Sequence, residues 1–256
     1  MIRNIIDALK TAVRALFGNW WALGLFLLVY LALLGAVWGF VTLGLSSGLQ
    51  VALTFVLTLV APALFVLLQA LGVGYTDTET RARGVLKPAL RNWWKLFLIS
   101  LPLLLLWWGF SWGIARLEPW LMDRLGQDVS YGKALRRTGQ IMMALRFLLL
   151  WLGLPLLALQ LWISASLEGA GRALKSIGRN LLRAFSPRSV LTYLIGMSLF
   201  AVIPYYLFFT RTQFGGAWVE MSLLGARMTL ALLFILFGWV ITAGALAHMR
   251  RGEPVE

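Results

Sequence analysis

Only a few side chains in this sequence have the chemistry that catalysis needs. One polar connection between apolar runs carries three carboxylates: Glu118, Asp123 and Asp128. Paired carboxylates can act as general acid and base, but Arg116 and Arg124 lie beside them, which favours a solvated connection of mixed charge. His248 is the only histidine, and no group of His, Asp and Glu has metal-ligand spacing. The sequence therefore predicts a protein that is not an enzyme and holds no cofactor.

Basic side chains offer a different chemistry, because they recur at helical spacing next to long apolar runs. Residues three or four apart share one face of a helix, so each set forms a stripe that can follow a layer of lipid phosphates. The first, second and third stripes comprise Arg3, Lys10 and Arg14; Lys87, Arg91 and Lys95; and Arg172, Lys175, Arg179 and Arg183. Anchoring at anionic headgroups is the simpler interpretation of these stripes, and docking of a partner protein is the alternative.

Paired tryptophans accompany two of the stripes. Indole combines an apolar body with one polar N–H, which suits it to the boundary between membrane and water. The predicted interfacial anchors are Trp20, Trp21, Trp93 and Trp94. An asparagine precedes each pair (Asn19 and Asn92), and Asn180 occupies the corresponding place in the third stripe.

The composition decides which elements carry these side chains. Hydrophobic residues make up 60% of the 256 residues and the mean hydropathy is +0.82. Runs of about 20 apolar residues are long enough to cross roughly 30 Å of hydrocarbon. We predict an all-α, polytopic membrane helix bundle that forms one integral membrane domain over residues 1–256. Its parts are an amphipathic interfacial helix over 1–18 and spans over about 20–44, 49–73, 95–114, 144–166, 189–210 and 228–248.

The formal net charge of +13 points to the membrane surface as a partner. The cations flank apolar runs, so membrane lipids with anionic headgroups are the expected partners and nucleic acid is not. The chain has no Cys, which excludes disulfides and thiolate metal sites. Residues 1–18 spread their charges along a helix instead of clustering them at the tip, so we expect no cleaved signal peptide there.

Placement of Lys and Arg predicts the orientation. With both termini in the cytoplasm, about two thirds of the 23 Lys and Arg lie on the cytoplasmic side. One alternative stays open, because residues 132–136 resemble 171–175 and could be a further basic copy on that side. Residues 95–114 would then have to enter the membrane and return, which Pro102 and two glycines would permit. We keep six spans as the prediction.

Several residues within the predicted spans could shape the helices. Proline removes a backbone hydrogen bond and can kink a helix. The prolines inside spans are Pro62, Pro102, Pro155 and Pro204, and glycines that would allow close helix approach are Gly35, Gly39, Gly72 and Gly74. Gln69 and Gln160 are the main polar groups within spans, and the lack of ionisable groups there argues against an ion-coupled carrier.

The layout resembles a family of bacterial six-helix membrane proteins that includes the membrane domain of some glycerophosphodiester phosphodiesterases. Residues 167–175 followed by Arg179-Asn180 resemble its pattern of a basic helix that enters a span, and residues 85–94 are the second such unit. The resemblance implies a multi-pass module of the bacterial cytoplasmic (inner) membrane that serves another component. It implies no hydrolase chemistry, because these residues contain no soluble phosphodiesterase domain, and it transfers no functional residue.

Three functions remain after these exclusions. The favoured prediction is a non-enzymatic multi-pass membrane subunit or scaffold of a larger assembly, whose cytoplasmic basic helices contact anionic lipid or another membrane subunit. The alternative is a permease-like transport subunit for a lipid or other amphiphile. A membrane enzyme comes third, and it would have to use the three carboxylates and His248.

Overall fold

The backbone is helical almost throughout. The computed structural model describes residues 2–44, 46–77, 82–128, 131–210 and 216–252, and over these ranges it contains no β-strand. The α-helices of this part of the chain are α1 (Ile2–Phe17), α2 (Trp20–Thr42), α3 (Gly48–Gly74), α4 (Ala82–Asp128), α5 (Tyr131–Arg146), α6 (Leu154–Glu168), α7 (Ala170–Lys175), α8 (Ile177–Ala184), α9 (Pro187–Met197), α10 (Ile203–Phe209) and α11 (Ala217–Arg251).

Six helical stretches are long and apolar enough to cross a membrane within the described ranges. They are Trp20–Thr42, Gly48–Gly74, Gly84–Arg124, Leu135–Glu168, Pro187–Phe209 and Trp218–Arg251. The all-α fold is therefore confirmed, and the six stretches support the prediction of a multi-pass membrane protein. Three predicted spans agree with these stretches to within about two residues, whereas those over 95–114, 144–166 and 228–248 lie within longer helices. An apolar run marks the hydrocarbon crossing, and the helical backbone continues beyond it.

The chain forms two compact units. The first comprises Met1–Phe97 and Leu191–Glu256, and the second comprises Leu98–Val190. The prediction of a single membrane domain over 1–256 stays a prediction.

Two π-helical segments interrupt the α-helical geometry, and each lies just before a proline. They are Phe147–Gly153, ahead of Pro155, and Ser198–Val202, ahead of Pro204. Proline clashes with the carbonyl four residues back, and both of those carbonyls lie within the π-helical segments, where wider turns give them room. In contrast, α3 and α4 continue as α-helices through Pro62 and Pro102.

The central element of the first unit is α11. It packs against α1, α3, α10 and the π-helical segment Ser198–Val202. Glycine permits the closest of these approaches, since a Cβ on Gly238 would lie 2.8 Å from the backbone nitrogen of Phe200. A buried polar contact also joins two helices, because the indole Nε1 of Trp239 donates a hydrogen bond of 2.6 Å to Oε1 of Gln69 on α3.

Two arginines of α11 bind the ends of neighbouring helices. Arg227 donates to the carbonyl oxygen of Leu207 in the last turn of α10, at 2.6 and 3.0 Å. Arg251 donates to the carbonyl oxygen of Val73 at 3.0 Å and to Oγ1 of Thr76 at 2.7 Å, just where α3 ends. Carbonyls in a last helical turn have no partner within their own helix, so each arginine satisfies one. The two arginines lie about 36 Å apart along α11, slightly more than the hydrocarbon thickness.

Tyr75 joins three elements at the same end of the first unit. It lies in the 3-10 turn Tyr75–Asp77, and its buried hydroxyl is 3.2 Å from the carbonyl oxygen of Ala12 and 3.4 Å from that of Val240. Its ring makes an edge-to-face contact with Phe26, with 5.6 Å between centroids. Burial raises the pKa of the Tyr75 hydroxyl well above its usual range. The end of α3 is thereby attached to both α1 and α11.

In the second unit, α4 from Leu98 onward and the continuous stretch α5–α6 run antiparallel. Nη2 of Arg146 lies 2.9 Å from Oε2 of Glu118, and the indole Nε1 of Trp162 donates to Oγ of Ser100 at 3.1 Å. The two contacts lie about equally far apart on each helix: Ser100 and Glu118 are 18 residues apart on α4, and Arg146 and Trp162 are 16 residues apart on α5–α6. The order is reversed between the two helices. The two helices therefore keep one register over the length of a membrane span.

The antiparallel register aligns the uncharged stretches of the two helices. On α4 that stretch lies between Lys95 and Arg116, and on α5–α6 it lies between Arg146 and Glu168. Each measures about 30 Å, the hydrocarbon thickness. Because α4 is one continuous helix, the alternative in which residues 95–114 enter and return is wrong. The polar connection is also helical, and from Arg116 it extends α4 about 20 Å beyond the uncharged stretch.

Candidate functional site

The first stripe lies on a helix that is also attached to the bundle. One side of α1 is buried against α2, α11 and the 3-10 turn. This side comprises Ile5, Ala8, Ala12 and Leu16. About 100° around the helix, a second apolar side is exposed, and its members are Ile2, Ile6, Val13 and Phe17. The ring of Phe17, at the end of this side, contacts Phe237 of α11 with 5.7 Å between centroids.

The cations of the first stripe follow next around α1. Arg3, Lys10 and Arg14 are all exposed and lie about 75° beyond the exposed apolar side. Polar residues complete the circumference, among them Asn4 and Asp7. The order around α1 is thus protein contact, exposed apolar side, cations and uncharged or acidic polar groups. The sequence predicted an amphipathic helix with a cationic side but not the division of its apolar residues into a buried and an exposed side.

The second stripe lies within the first four turns of α4. Lys87 and Arg91 are exposed, whereas Lys95 is half-buried and donates from Nζ to Oδ1 of Asn92 at 2.9 Å. The spacing of the stripe is realised, because α4 is continuous from Ala82. Two of its three cations therefore project from the helix, and the third contacts the polar residue that precedes the tryptophan pair.

The third stripe is divided between two short helices. Arg172 and Lys175 lie on α7, Arg179 and Arg183 lie on α8, and the chain bends between these helices at Ser176. The prediction of one uninterrupted stripe helix at this place is therefore wrong. The spacing indicated helix on both sides of Ser176 but could not reveal the bend.

Asn180 determines how the bend is held. Its side chain is fully buried, and Oδ1 accepts a hydrogen bond of 2.8 Å from Oγ of Ser164 on α6. Nδ2 donates to the carbonyl oxygen of Ala173 at 3.2 Å and to Oγ of Ser176 at 3.3 Å. One side chain thus connects α6, α7, the bend and α8. This role could not be read from the motif, since Asn19 instead caps α2 by accepting from the backbone N–H of Ala22 at 3.1 Å.

An exposed apolar side accompanies the third stripe as well. Ala173, Asn180 and Ala184 are buried, and α7 and α8 both pack against α6. The large apolar residues that remain exposed on α7, α8 and the residue after them are Leu174, Ile177, Leu181, Leu182 and Phe185. The first and third stripes therefore share an arrangement in which cations, exposed apolar side chains and buried side chains occur together, on one helix in the first stripe and on two short helices in the third.

Most cations of the three stripes have no partner among the described residues. The side chains of Arg3, Lys10, Arg14, Lys87, Arg91, Arg172, Lys175 and Arg179 form no hydrogen bond or ion pair there. Most of the described cations outside the stripes have a partner: Arg146 pairs with Glu118, Arg227 and Arg251 bind helix ends, and Arg116 and Arg124 contact tryptophan rings. Arg136 and Arg137 on α5 are the exceptions, since they are exposed and without a partner in the described structure. Free positive charge is thus concentrated where the stripes are.

The four predicted tryptophan anchors occupy two kinds of environment. Trp20, Trp21 and Trp94 have exposed fractions of 80, 70 and 57%. Trp93 is half-buried, donates its Nε1 hydrogen to the carbonyl oxygen of Ala63 on α3 at 2.8 Å and stacks on Phe97. Three of the four tryptophans are therefore accessible, whereas the fourth is a contact within the first unit.

The residues proposed for acid–base chemistry are not brought together. Glu118 is engaged with Arg146, and Asp123 lies five residues further along α4, about 140° around the helix. The side chain of Asp128 lies outside the described residues. His248 is exposed in the last turn of α11. No group of three metal-ligating side chains occurs in the described part of the chain.

Cation–π contacts on α4 were not predicted. The guanidinium of Arg116 lies 5.3 Å from the ring centroid of Trp112, and that of Arg124 lies 5.8 Å from the ring centroid of Trp120. Both pairs are spaced i, i+4, so the sequence contained the signal. It was missed because the connection was read as a loop.

The comparisons with known proteins add no relative. No protein-family model, curated protein or solved structure matches this chain.

Proposed function

We propose that this chain is a non-enzymatic multi-pass subunit or scaffold of a membrane assembly. In this proposal the three basic stripes lie on the cytoplasmic face of the bacterial inner membrane, as do both termini, and they contact anionic lipid or a partner protein. The observation that carries the proposal is the concentration of exposed cations without protein partners on segments that also expose apolar side chains. Such a combination suits a surface that meets headgroups on one side and acyl chains on the other.

The topology agrees with this placement. The uncharged stretch of α4 measures about 30 Å, the hydrocarbon thickness, so in this proposal the stripe on α4 and the helical extension beyond Arg116 lie at opposite membrane faces. The stripe side is then the cytoplasmic one, because Lys and Arg are more abundant there. The resemblance to bacterial six-helix membrane modules supports the same role, that of a module serving another component.

Removing charge from the stripes is expected to reduce recovery of partners. The tagged protein is purified from its native membrane in mild detergent, and associated proteins and lipids are identified by mass spectrometry. In the variants Lys87→Gln/Arg91→Gln and Lys175→Gln/Arg179→Gln, we expect a partner protein or anionic lipid to fall about tenfold or more, since each cation contributes about 1 kcal/mol.

The control for this experiment removes the same charge elsewhere. Arg136→Gln/Arg137→Gln changes two exposed, unpartnered cations on α5, and recovery should stay at the level of the unsubstituted protein. Equal recovery in all variants, or loss in the control alone, would contradict the proposal.

A transport subunit for a lipid or other amphiphile is the second candidate. It is favoured by the two π-helical segments before Pro155 and Pro204, because such segments are weak points at which a helix can bend. Constant-stoichiometry recovery of an ATPase in the same purification would support this candidate over a static scaffold.

A further inference from the structure

The polarity of α1 changes around the helix and not along it. Exposed apolar residues occur from Ile2 to Phe17, and cations occur from Arg3 to Arg14. A helix that crossed the membrane boundary would instead be apolar at one end and charged at the other. The arrangement therefore indicates an axis parallel to the membrane surface, with the exposed apolar side towards the acyl chains and Asn4 and Asp7 towards water.

The apolar and cationic sides of α1 meet at a groove. Ile6, Leu9 and Val13 line it together with Lys10 and Arg14, and its volume is about 300 Å³. The surface that the groove presents is almost entirely apolar, so the two long basic side chains contribute their alkyl stems. Their charged ends are free, because neither forms a hydrogen bond or ion pair with any residue the structure describes.

The buried side of α1 is held in place, which keeps the groove on the outside of the unit. The carbonyl oxygen of Ala12 accepts a hydrogen bond from the hydroxyl of Tyr75. The residues on that side, from Ile5 to Leu16, are buried. A shallow apolar groove with two adjacent free cations matches one ligand class: a lipid with an acyl chain and a negatively charged phosphate. A free phosphate ion would satisfy the cations but leave the apolar groove exposed.

We propose that α1 lies in the membrane surface and binds one anionic phospholipid, with the phosphate between Lys10 and Arg14 and an acyl chain along Ile6, Leu9 and Val13. The proposal rests on the proposed function only in placing α1 at an anionic membrane face. It deepens that function by naming one lipid site and the residues that form it.

The absence of Cys in this chain allows a site-specific test. The variant Val13→Cys is labelled with a benzophenone, reconstituted into vesicles of equimolar phosphatidylglycerol and phosphatidylcholine, and photolysed. Lipid adducts are then identified by mass spectrometry. We expect the phosphatidylglycerol adduct to exceed the phosphatidylcholine adduct about thirtyfold, from two cations at about fivefold each. The same label on Asn4→Cys should give no lipid adduct.

Two paired substitutions complete the test. Adding Lys10→Gln/Arg14→Gln to the Val13→Cys protein should make the two adducts equal, whereas Arg136→Gln/Arg137→Gln should leave the preference unchanged. Both pairs change exposed side chains, so the fold should be retained, and thermal unfolding checks this. Equal adducts without the substitutions, a preference that survives Lys10→Gln/Arg14→Gln, or a crosslink to protein in place of lipid would each overturn the proposal. If the purification described above recovered no partner while the lipid preference stayed intact, the result would count against the proposed function alone.

Discussion

Replacing Gly244 with Ala is expected to destabilise the first unit by about 2–4 kcal/mol. A Cβ at this position would lie 2.6 Å from Cε1 and 2.7 Å from Cζ of Tyr75. The tyrosine ring cannot move aside freely, because its hydroxyl lies between the carbonyls of Ala12 and Val240 and its ring contacts Phe26. Overpacking costs about 1–3 kcal/mol and a lost hydrogen bond about 1 more. The thermal unfolding midpoint in detergent should fall by roughly 5–10 °C.

A matched glycine on the same helix separates crowding from helix propensity. Gly225 also lies in α11, and a Cβ there would meet nothing within 4 Å. Alanine favours an exposed helix by up to about 1 kcal/mol over glycine, so Gly225→Ala should be neutral or stabilising. Equal unfolding midpoints for Gly225→Ala and Gly244→Ala would contradict the expected result.

A double-mutant cycle tests whether Tyr75 is the cause. In a Tyr75→Leu background, the ring that the new Cβ would meet is absent, so Gly244→Ala should cost much less than in the unsubstituted protein. The coupling energy is expected to be about 1–3 kcal/mol. Independent, additive effects of the two substitutions would mean that the glycine is needed for another reason.

The glycines show how far spacing can predict helix packing. Of the four named from the sequence, Gly39 and Gly72 would place a Cβ within 4 Å of a neighbouring helix, and Gly35 and Gly74 would not. The tightest approaches occur elsewhere, as at Gly196, where a Cβ would lie 2.8 Å from Cβ and Cγ2 of Thr242. Which glycine meets another helix depends on the partner and on the crossing point, and neither is encoded in the spacing within one segment.

The stripes show the same division between local and long-range information. The period of Arg172, Lys175, Arg179 and Arg183 correctly indicated helix, because helical periodicity is a property of consecutive residues. The bend at Ser176 depends on a buried contact with Ser164, which is remote from the stripe in sequence. On α1, the buried side includes Ala8 and Ala12, and such small residues contribute little to an apolar pattern.

The span predictions succeeded where a physical length was involved. Uncharged runs identified all six candidate crossings, since 20 residues of helix match the hydrocarbon thickness. The ends of α4 were missed because the membrane thickness sets the length of a crossing but not how far the helix continues in water. There, the side chains of α4 make contacts within the helix, such as that between Arg116 and Trp112, and with a remote segment, between Glu118 and Arg146.

Replacing Asn180 with Leu is expected to release α7 and α8 from α6. The substitution keeps a similar volume but removes three hydrogen bonds, made with Ser164, Ala173 and Ser176. At about 1 kcal/mol for each bond, the free energy of unfolding should fall by about 2–4 kcal/mol. Hydrogen exchange measured by mass spectrometry should therefore increase across α7 and α8 while exchange in α11 stays unchanged.

The motif that led to Asn180 also supplies its control. Asn92 occupies the matching position before the second apolar run, but it is half-buried and accepts only from Nζ of Lys95 among the contacts seen here. Asn92→Leu should therefore cost less than about 1 kcal/mol and leave exchange in α7 and α8 unaltered. If the two substitutions had the same effect, the shared Asn of the repeated motif would have one common role, and the buried contacts of Asn180 would not be what holds the third stripe. Different effects would mean that the sequence repeat carries its cations on two structurally unrelated supports, so that only the charge pattern, and not the local fold, is common to the stripes.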